Sequence, residues 1–471
     1  MKIQKTDMVV PGIVGAVGLV LLVAWMLTGS PFELQARVPG MDQSPRDGGA
    51  DGAALAAPVA GDPLRGDGRP SDLTGAWPGF RGPTRDGICD DGVPLARTWP
   101  ADGPPVLWSV ELGDGYASPV VHQGCVYLLD YDDEAKADVM LCLSLDNGRE
   151  IWRNSYPVEV AWNHGYSRTV PVVAGDGIIT IGPQCHVAYW DAKSGECRWL
   201  LDLALDEGTQ VPRWYTGQCP LLDGDRLILA PGGKALLMAV DYKTGEAIWR
   251  SPNPRGWEMT HVSIMPMDVD GRRTYVYCGS GGVVGVAADD GSLLWDNAEW
   301  PVQFAHAPSP LVLPGNRIFL CSGYGTKTGS LFLQVRQDEG GLVADIESRL
   351  SPRQFNSEQQ TPILYRGHIL GVRKRGGGQL VCMDLQGNEI WNSGRERFGH
   401  GPYLIVDGLI FVLSDRGRLV MAEASTTAFR LLGSDDVFED GHDAWAPMTP
   451  ASGRLILRDM TRMVCLDIAA D

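Results

Sequence analysis

The chain has 471 residues, 44 % of them hydrophobic and 59 of them glycine, which is material for a large core built from short strands and tight turns. Its formal net charge of −18 argues against nucleic acid as a partner, because phosphate binding needs a basic face. None of the ten cysteines is adjacent to another and none forms C-x-x-C or C-x-x-C-H, so metal-finger and c-type haem readings lack support; most stand in apolar runs and read as small buried hydrophobes.

In chain order, residues 1–7 form a short tail carrying Lys2 and Lys5. Residues 8–29 lie in an uncharged apolar stretch long enough for a helix of roughly 20 residues to cross a bilayer. The lysines before it predict a cytoplasmic tail and a single-pass anchor, with everything after it on the extracytoplasmic side. A cleaved signal peptide is the alternative, but no convincing A-x-A site or lipid-accepting cysteine follows. Residues 30–75 are rich in Gly, Ala, Asp and Pro, and predict a disordered linker that holds a head, residues 76–471, off the membrane.

From about residue 117 the chain repeats. "DNGREIW" ends at Trp152, "KSGECRW" at Trp199, "KTGEAIW" at Trp249, "DDGSLLW" at Trp295 and "QGNEIW" at Trp391, each with glycine four residues before tryptophan. Each unit reads as four strands: an apolar inner strand, a Gly- or Asp-containing turn, two further strands, and a glycine turn before a tryptophan-bearing outer strand. The glycine supplies a positive φ, and the following strand aims the indole at a fixed face. A ring buried between sheets removes about 150–250 Å² from water, worth roughly 4–6 kcal/mol as an upper bound. Such a unit cannot cover its own faces, so it packs against the next copy, and radial stacking protects the edges. Units start near residues 118, 170, 219, 263, 309, 361, 401 and 447, which predicts an all-β, eight-bladed propeller of four-stranded antiparallel blades preceded by one transmembrane helix. Units five and seven lack the glycine–tryptophan turn, and the eighth ends a strand short. The segment 104–112, with Trp108, is expected to supply that strand and close the ring. "GSGGVVG" (279–285) reads as a blade turn, and there is no P-loop or G-x-S-x-G elbow.

The turns "DAKSGECRW" and "DYKTGEAIW" resemble the tryptophan-docking repeat of pyrroloquinoline quinone (PQQ)-type eight-bladed propellers, a family that includes quinone-dependent alcohol dehydrogenases and BamB. "WPGFRGPTRDGI" (77–88) is similar to the leader of membrane-anchored PQQ-like repeat proteins of planctomycete-type bacteria. The dehydrogenase branch implies PQQ and calcium, held by a vicinal cysteine pair and a Glu/Asn/Asp cluster. This sequence has no adjacent cysteines, and no matching cluster maps onto it. No catalytic residue and no metal ligand is assigned.

The connections leading into the inner strands are rich in histidine and aromatics, and in a propeller they gather on one face around the mouth of the central channel. Ligand-binding candidates there are His164, Trp214, Tyr215, His261, His306, Glu358, His400, His442 and Asp443. The plainer alternative is that they are hydrogen-bonded loop residues plugging the mouth. The expected function is a non-enzymatic scaffold in the cell envelope that binds a protein partner or a small ligand; the alternative is a PQQ-dependent oxidoreductase with its cofactor in the funnel. If Trp108 closes the ring, deleting 104–112 abolishes the cooperative melting transition of the whole head by circular dichroism. An unchanged transition contradicts the closure.

Overall fold

The computed structural model describes residues 18–20, 22–23, 57–301, 305–324 and 328–470. Residues 18–20 and 22–23 are helical. The rest of the expected anchor and the tail before it lie outside the described residues, among which no helix is long and apolar enough to cross a membrane.

The head is an eight-bladed propeller of antiparallel sheets. Inner strands begin at Val120, Val172, Leu221, Met265, Leu311, Ile363, Tyr403 and Thr449, about two residues after most of the expected unit starts. Blades five and seven form full four-stranded sheets without the glycine–tryptophan turn. In the eighth blade, Val106–Glu111 pairs antiparallel with Arg462–Asp467 as the outermost strand, so the N-terminal side of the head completes the C-terminal blade. The closure also carries a buried ion pair: Arg458 donates to Asp130 of the first blade at 3.2 Å and to the carbonyls of Ala117 and Gly113.

The seams explain why glycine and tryptophan travel together. Five indole N–H groups reach out of their own blade to a carbonyl in the corresponding turn of the next blade, a glycine turn in four of the five seams. Trp108 donates to Leu145 O (2.9 Å), Trp152 to Ala192 O (3.0 Å), Trp199 to Tyr242 O (2.9 Å), Trp249 to Ala288 O (3.2 Å) and Trp391 to Ser425 O (3.1 Å). Gly195 shows the other half of the contact. Its φ is +77°, and a Cβ there would stand 2.6 Å from the Trp152 ring. The glycine of one repeat therefore receives the tryptophan of the repeat before it.

Trp295 is the exception. It is buried, but its Nε1 has no hydrogen-bond partner among the described residues. Blade five, which it faces, has a tight hairpin between Ser330–Asp338 and Gly341–Leu350 in place of the glycine turn. Where blade five should offer an indole to blade six, Leu350 packs on Gly387 instead.

A second ring of contacts runs inside. A small polar residue stands at the head of most inner strands and bonds to the neighbouring blade. Cys219 N donates to Ser263 Oγ (3.0 Å), Ser263 N to Ser309 Oγ (3.1 Å), Ser309 N to Thr361 Oγ1 (2.8 Å) and Thr449 Oγ1 to Pro119 O (2.8 Å). These bonds set adjacent inner strands in register around the channel and satisfy buried polar groups that would otherwise be costly.

The expected linker lies outside the described residues as far as 56, and beyond that point it departs from expectation. Leu64–Arg65 pairs antiparallel with Trp152–Arg153 on the outer edge of the first blade. Gly61, Gly68 and Ser71 donate backbone hydrogen bonds to Ser155, Glu150 and Gly124. The glycine content that read as disorder serves close backbone approach: a Cβ on Gly66 would fall 2.0 Å from Glu150 O. Main-chain bonding is the principal hold on this segment, joined by the buried Ser71, whose hydroxyl donates to Asp146, and by Leu73 packed on the core. The cysteines are free and, apart from the partly buried Cys197, buried.

Gly195→Ala strains both φ and the indole contact, and lowers the unfolding free energy by about 1–3 kcal/mol in chemical denaturation. The same change at Gly224, whose Cβ would meet nothing within 4 Å, costs less because only the φ strain remains. Equal losses at the two sites contradict the docking account.

Candidate functional site

The inner strands run from the mouth toward the opposite face, so the eight connections that precede them crowd round one end of the channel. They enclose a cup of about 490 Å³. Every connection contributes to its wall: Tyr116, His164 with Arg168, Trp214, His261, Ala305 with Ala307, Gln359 with Gln360, His400 and Trp445, joined by Tyr324 from within blade five.

The far end is filled by the leader. Trp77 bridges to Val121 of the first blade, Val173 N of the second bonds Pro78 O, and Ile88–Cys89 adds a parallel strand to the inner edge of the seventh. Between these points Phe80 and Arg81 form the floor. Arg81 donates to the carbonyls of Arg85, Thr361, Asp86 and Pro362, which ties the leader to the sixth blade across the channel. The leader thus turns an open channel into a cup with one entrance.

The wall has two electrostatically different sides. On one, Arg168 spends four hydrogen bonds on the carbonyls of Gly165, Tyr166, Asn163 and His164, and its guanidinium lies 5.5 Å from the Tyr116 ring centre. Desolvation brings it down to about 10, and it stays a cation at neutral pH. His261 lies 6.4 Å from the Trp214 ring, and burial, with Arg168 and His306 nearby, pushes it down to about 3. On the other side, His400 Nε2 is 2.7 Å from Glu358 Oε2, and Lys374 Nζ is 2.9 Å from the same oxygen. Asp415 accepts from His400 N and from the Trp445 indole. Burial works against charge on His400, but Asp415 and Glu358 outweigh it and raise its pKa despite Lys374. The His400 ring meets Trp445 edge-on at 5.3 Å, and Trp445 stacks on Tyr116 at 5.1 Å.

Of the nine sequence candidates, His164, Trp214, His261 and His400 line the cup together. Glu358 stands behind His400. Tyr215, expected at the mouth, is buried in the wall with its hydroxyl donating to Ala161 O at 2.6 Å. His306 is likewise buried; its Nε2 lies 2.6 Å from Cys321 O, an acceptor, which makes that nitrogen the donor, and burial pushes the ring down to about 4. His442 and Asp443 do not line the cup. The His442 side chain is 72 % exposed and pairs with Asp443 at 3.2 Å, while the chain passes Asp443 at φ +50° and presents Trp445 to the cup. Sequence reasoning missed Tyr116, Arg168, Tyr324, Trp445 and the leader floor. Only for Tyr116 did a signal exist: Ser118 before Pro119 marks the head of an inner strand, and the residue two before it lines the cup, whereas Arg168, Tyr324 and Trp445 carry no such mark.

Comparison with known proteins agrees with this architecture. The family model described as outer membrane protein assembly factor BamB matches residues 135–391. The chain belongs to this BamB family. It is 24 % identical over 330 residues to a BamB of Alteromonas naphthalenivorans, covering 64 % of this chain and 73 % of that one. Among solved structures it is similar to BamB from Moraxella catarrhalis, at 14 % identity, a TM-score of 0.51, and coverage of 77 % of this chain and 99 % of that one. The computationally designed protein Ika8 gives 9 % identity and a TM-score of 0.52, with 77 % and 100 % coverage, a likeness of fold alone.

The cup does not fit a quinone–calcium centre. Calcium takes six to eight oxygen ligands, carboxylates prominent among them, whereas no Asp or Glu lines this cup and its side-chain oxygens come only from amides and hydroxyls such as Gln359, Gln360, Thr361 and Ser263. No group of three or more His, Cys, Asp or Glu among the described residues is arranged to hold a metal ion, and the one cysteine lining the cup, Cys219, has no vicinal partner.

His261 and His306 are held neutral in the fold below their ordinary value of 6.5. The unfolded chain therefore binds more protons than the folded one as pH falls from about 6.5 toward 4, and the fold loses stability across that window. His306→Gln removes part of this slope in urea titrations at stepped pH. A slope unchanged by the substitution contradicts the assignment.

Proposed function

We propose that this protein is a binding scaffold of the cell envelope. The segment 8–29 anchors it in the inner membrane, the head lies on the periplasmic side, and the mouth of the propeller is the face that engages a partner, without catalysis. The observation that carries the reading is the convergence of all eight connections on one aromatic-walled cup in a propeller of the BamB family. Trp162 supports it. This indole on the connection into the second blade is 54 % exposed, yet it is fixed by a 2.8 Å bond from Nε1 to Asp114. A large ring held rigid in solvent has the character of a protein-binding hot spot, since little entropy remains to be lost on docking. The uncharged stretch after Lys2 and Lys5 supports the anchor and its orientation. The names of the relatives point to envelope assembly as the setting.

The test is site-specific photocrosslinking in intact cells. A crosslinking residue replaces the exposed Glu159 beside Trp162 on the mouth face or the exposed Asp225 in a turn on the opposite face. A discrete adduct with an envelope protein from the Glu159 position, absent from the Asp225 position, is expected, and Trp162→Ala is expected to weaken it. Equal labelling at both positions, or fractionation of the full chain with soluble cytoplasmic proteins, overturns the proposal.

A further inference from the structure

The rim of the cup carries a charge pattern that the scaffold reading does not use. The chain has a formal charge of −18, yet five arginines, Arg353, Arg375, Arg395, Arg397 and Arg416, stand exposed on the loops of blades six and seven that reach the mouth face. These loops form one surface. Arg373 Nη1 donates to Gln354 O (3.1 Å), Lys374 N to Asn356 O (3.0 Å), Phe398 N to Gly378 O (2.8 Å) and Asp415 N to Phe398 O (3.2 Å). Gly376, Gly377 and Gly378, all at positive φ, keep the hairpin turn of blade six bare, and the stem of Arg397 lies over it: a Cβ on Gly377 would stand 3.3 Å from Arg397 Cδ. None of the five arginines pairs with a carboxylate among the described residues; the bonds of Arg397 run to the carbonyls of Gly394 and Glu396. The carboxylates on the same loops are already engaged. Glu358 holds Lys374 and His400, Glu396 lies 3.7 Å from Arg418, and Asp415 accepts from His400 N and the Trp445 indole. The positive charge of this sector is therefore not matched from within it.

We propose that this arginine sector is the docking surface for an acidic, extended protein segment, rich in Asp or Glu, that crosses the rim of the cup. The planar fork of arginine grips both oxygens of a carboxylate, and the exposed cations here are all arginine. The next sector of the rim reverses the sign: Glu439 and Asp440 are exposed there and share a cleft of about 520 Å³ with Asp435, Asp436 and Asp459. A flat anionic bilayer would meet both sectors at once, attracted by one and repelled by the other, whereas a narrow segment can follow the arginines alone. Among the described residues, these loops also expose no large hydrophobic side chain that could enter a bilayer. The inference rests on the mouth face being the docking face and adds the chemistry of what docks there.

The test titrates fluorescein-labelled octaglutamate with the full chain in nonionic detergent, read by fluorescence anisotropy at low and high NaCl. Binding of this polyanion by a chain of net charge −18 is expected, weakening with salt because the contact is exposed. Arg375→Gln together with Arg395→Gln weakens it by ~10-fold or more, at an unchanged Tm, because neither side chain bonds to the fold among the described residues. Arg97→Gln together with Arg430→Gln removes the same charge from the opposite face, where these side chains pair with Asp407 and Glu423, and leaves binding in place. Octaglutamate that fails to bind, or equal losses from the two pairs of substitutions, overturns the proposal. Displacement of the peptide by micelles doped with phosphatidylglycerol assigns the sector to a lipid surface and overturns it as well. The crosslink from the Glu159 position separates this inference from the scaffold reading. An adduct that survives Arg375→Gln with Arg395→Gln undiminished keeps the scaffold and contradicts the acidic segment. Octaglutamate binding without any adduct supports the acidic segment and contradicts the scaffold.

Discussion

The structure depends on one repeated contact, an indole that leaves its own sheet to bond the turn of the next. The bond is short and buried, and the glycine beneath the ring lets two backbones approach at a distance any side chain would forbid. Because the glycine and tryptophan of one repeat serve two different seams, each blade is both host and guest. A sheet of four short strands buries too little surface to stand alone, so stability belongs to the closed chain of seams and not to any blade. The closing strand extends the logic, since Trp108 makes the same contact from the eighth blade to the first.

The irregular seams show how much of the contact can be replaced. Trp295 keeps the buried ring without the bond, and Leu350 keeps the apolar contact without the ring. At the seventh blade Trp99, from the segment before the closing strand, stacks near Phe411 and lies over Gly433, so an indole arrives from elsewhere in the chain. Packing is the indispensable part, and the hydrogen bond adds direction. The polar inner ring holds the sheets at a fixed radius and leaves a channel. The leader closes one end of that channel, with Arg81 bonded to Thr361 O ahead of the sixth blade's inner strand and Arg85 to Pro220 O ahead of the third's. What remains is a one-ended cup, which a ligand or a protruding partner residue can enter only from the connection-rich face.

Much of this was legible before any coordinates. The spacing of glycine and tryptophan predicted the seams, and the eight unit starts with a last unit one strand short predicted blade number and the closing strand, because that periodicity is local and its packing consequence is forced. The gathering of His164, Trp214, His261 and His400 followed from topology alone, since all connections of that class must emerge together. Which side of a connection faces the cup did not follow. Tyr215 and His306 turn inward to satisfy backbone carbonyls, and Trp445 takes the position that His442 and Asp443 were expected to hold, because single residues at positive φ reverse the chain in ways that composition does not encode. The leader and the segment 57–75 were hidden for a related reason. They are held by main-chain bonds at sheet edges, by glycines at close approach and, in the leader, by the Arg81 side chain, and a glycine-rich stretch looks alike whether it is loose or pressed against another strand.

The most direct measurement of the central claim is hydrogen exchange at the indole nitrogens, read by NMR on protein labelled at tryptophan. The docked N–H groups of Trp108, Trp152, Trp199, Trp249 and Trp391 should exchange at one common slow rate equal to that of global unfolding, because no seam can open while the others hold. Separate rates spread from blade to blade, with individual indoles exchanging while the ring stays folded, would show that the blades are independently stable and that the docking contact does not hold the ring together.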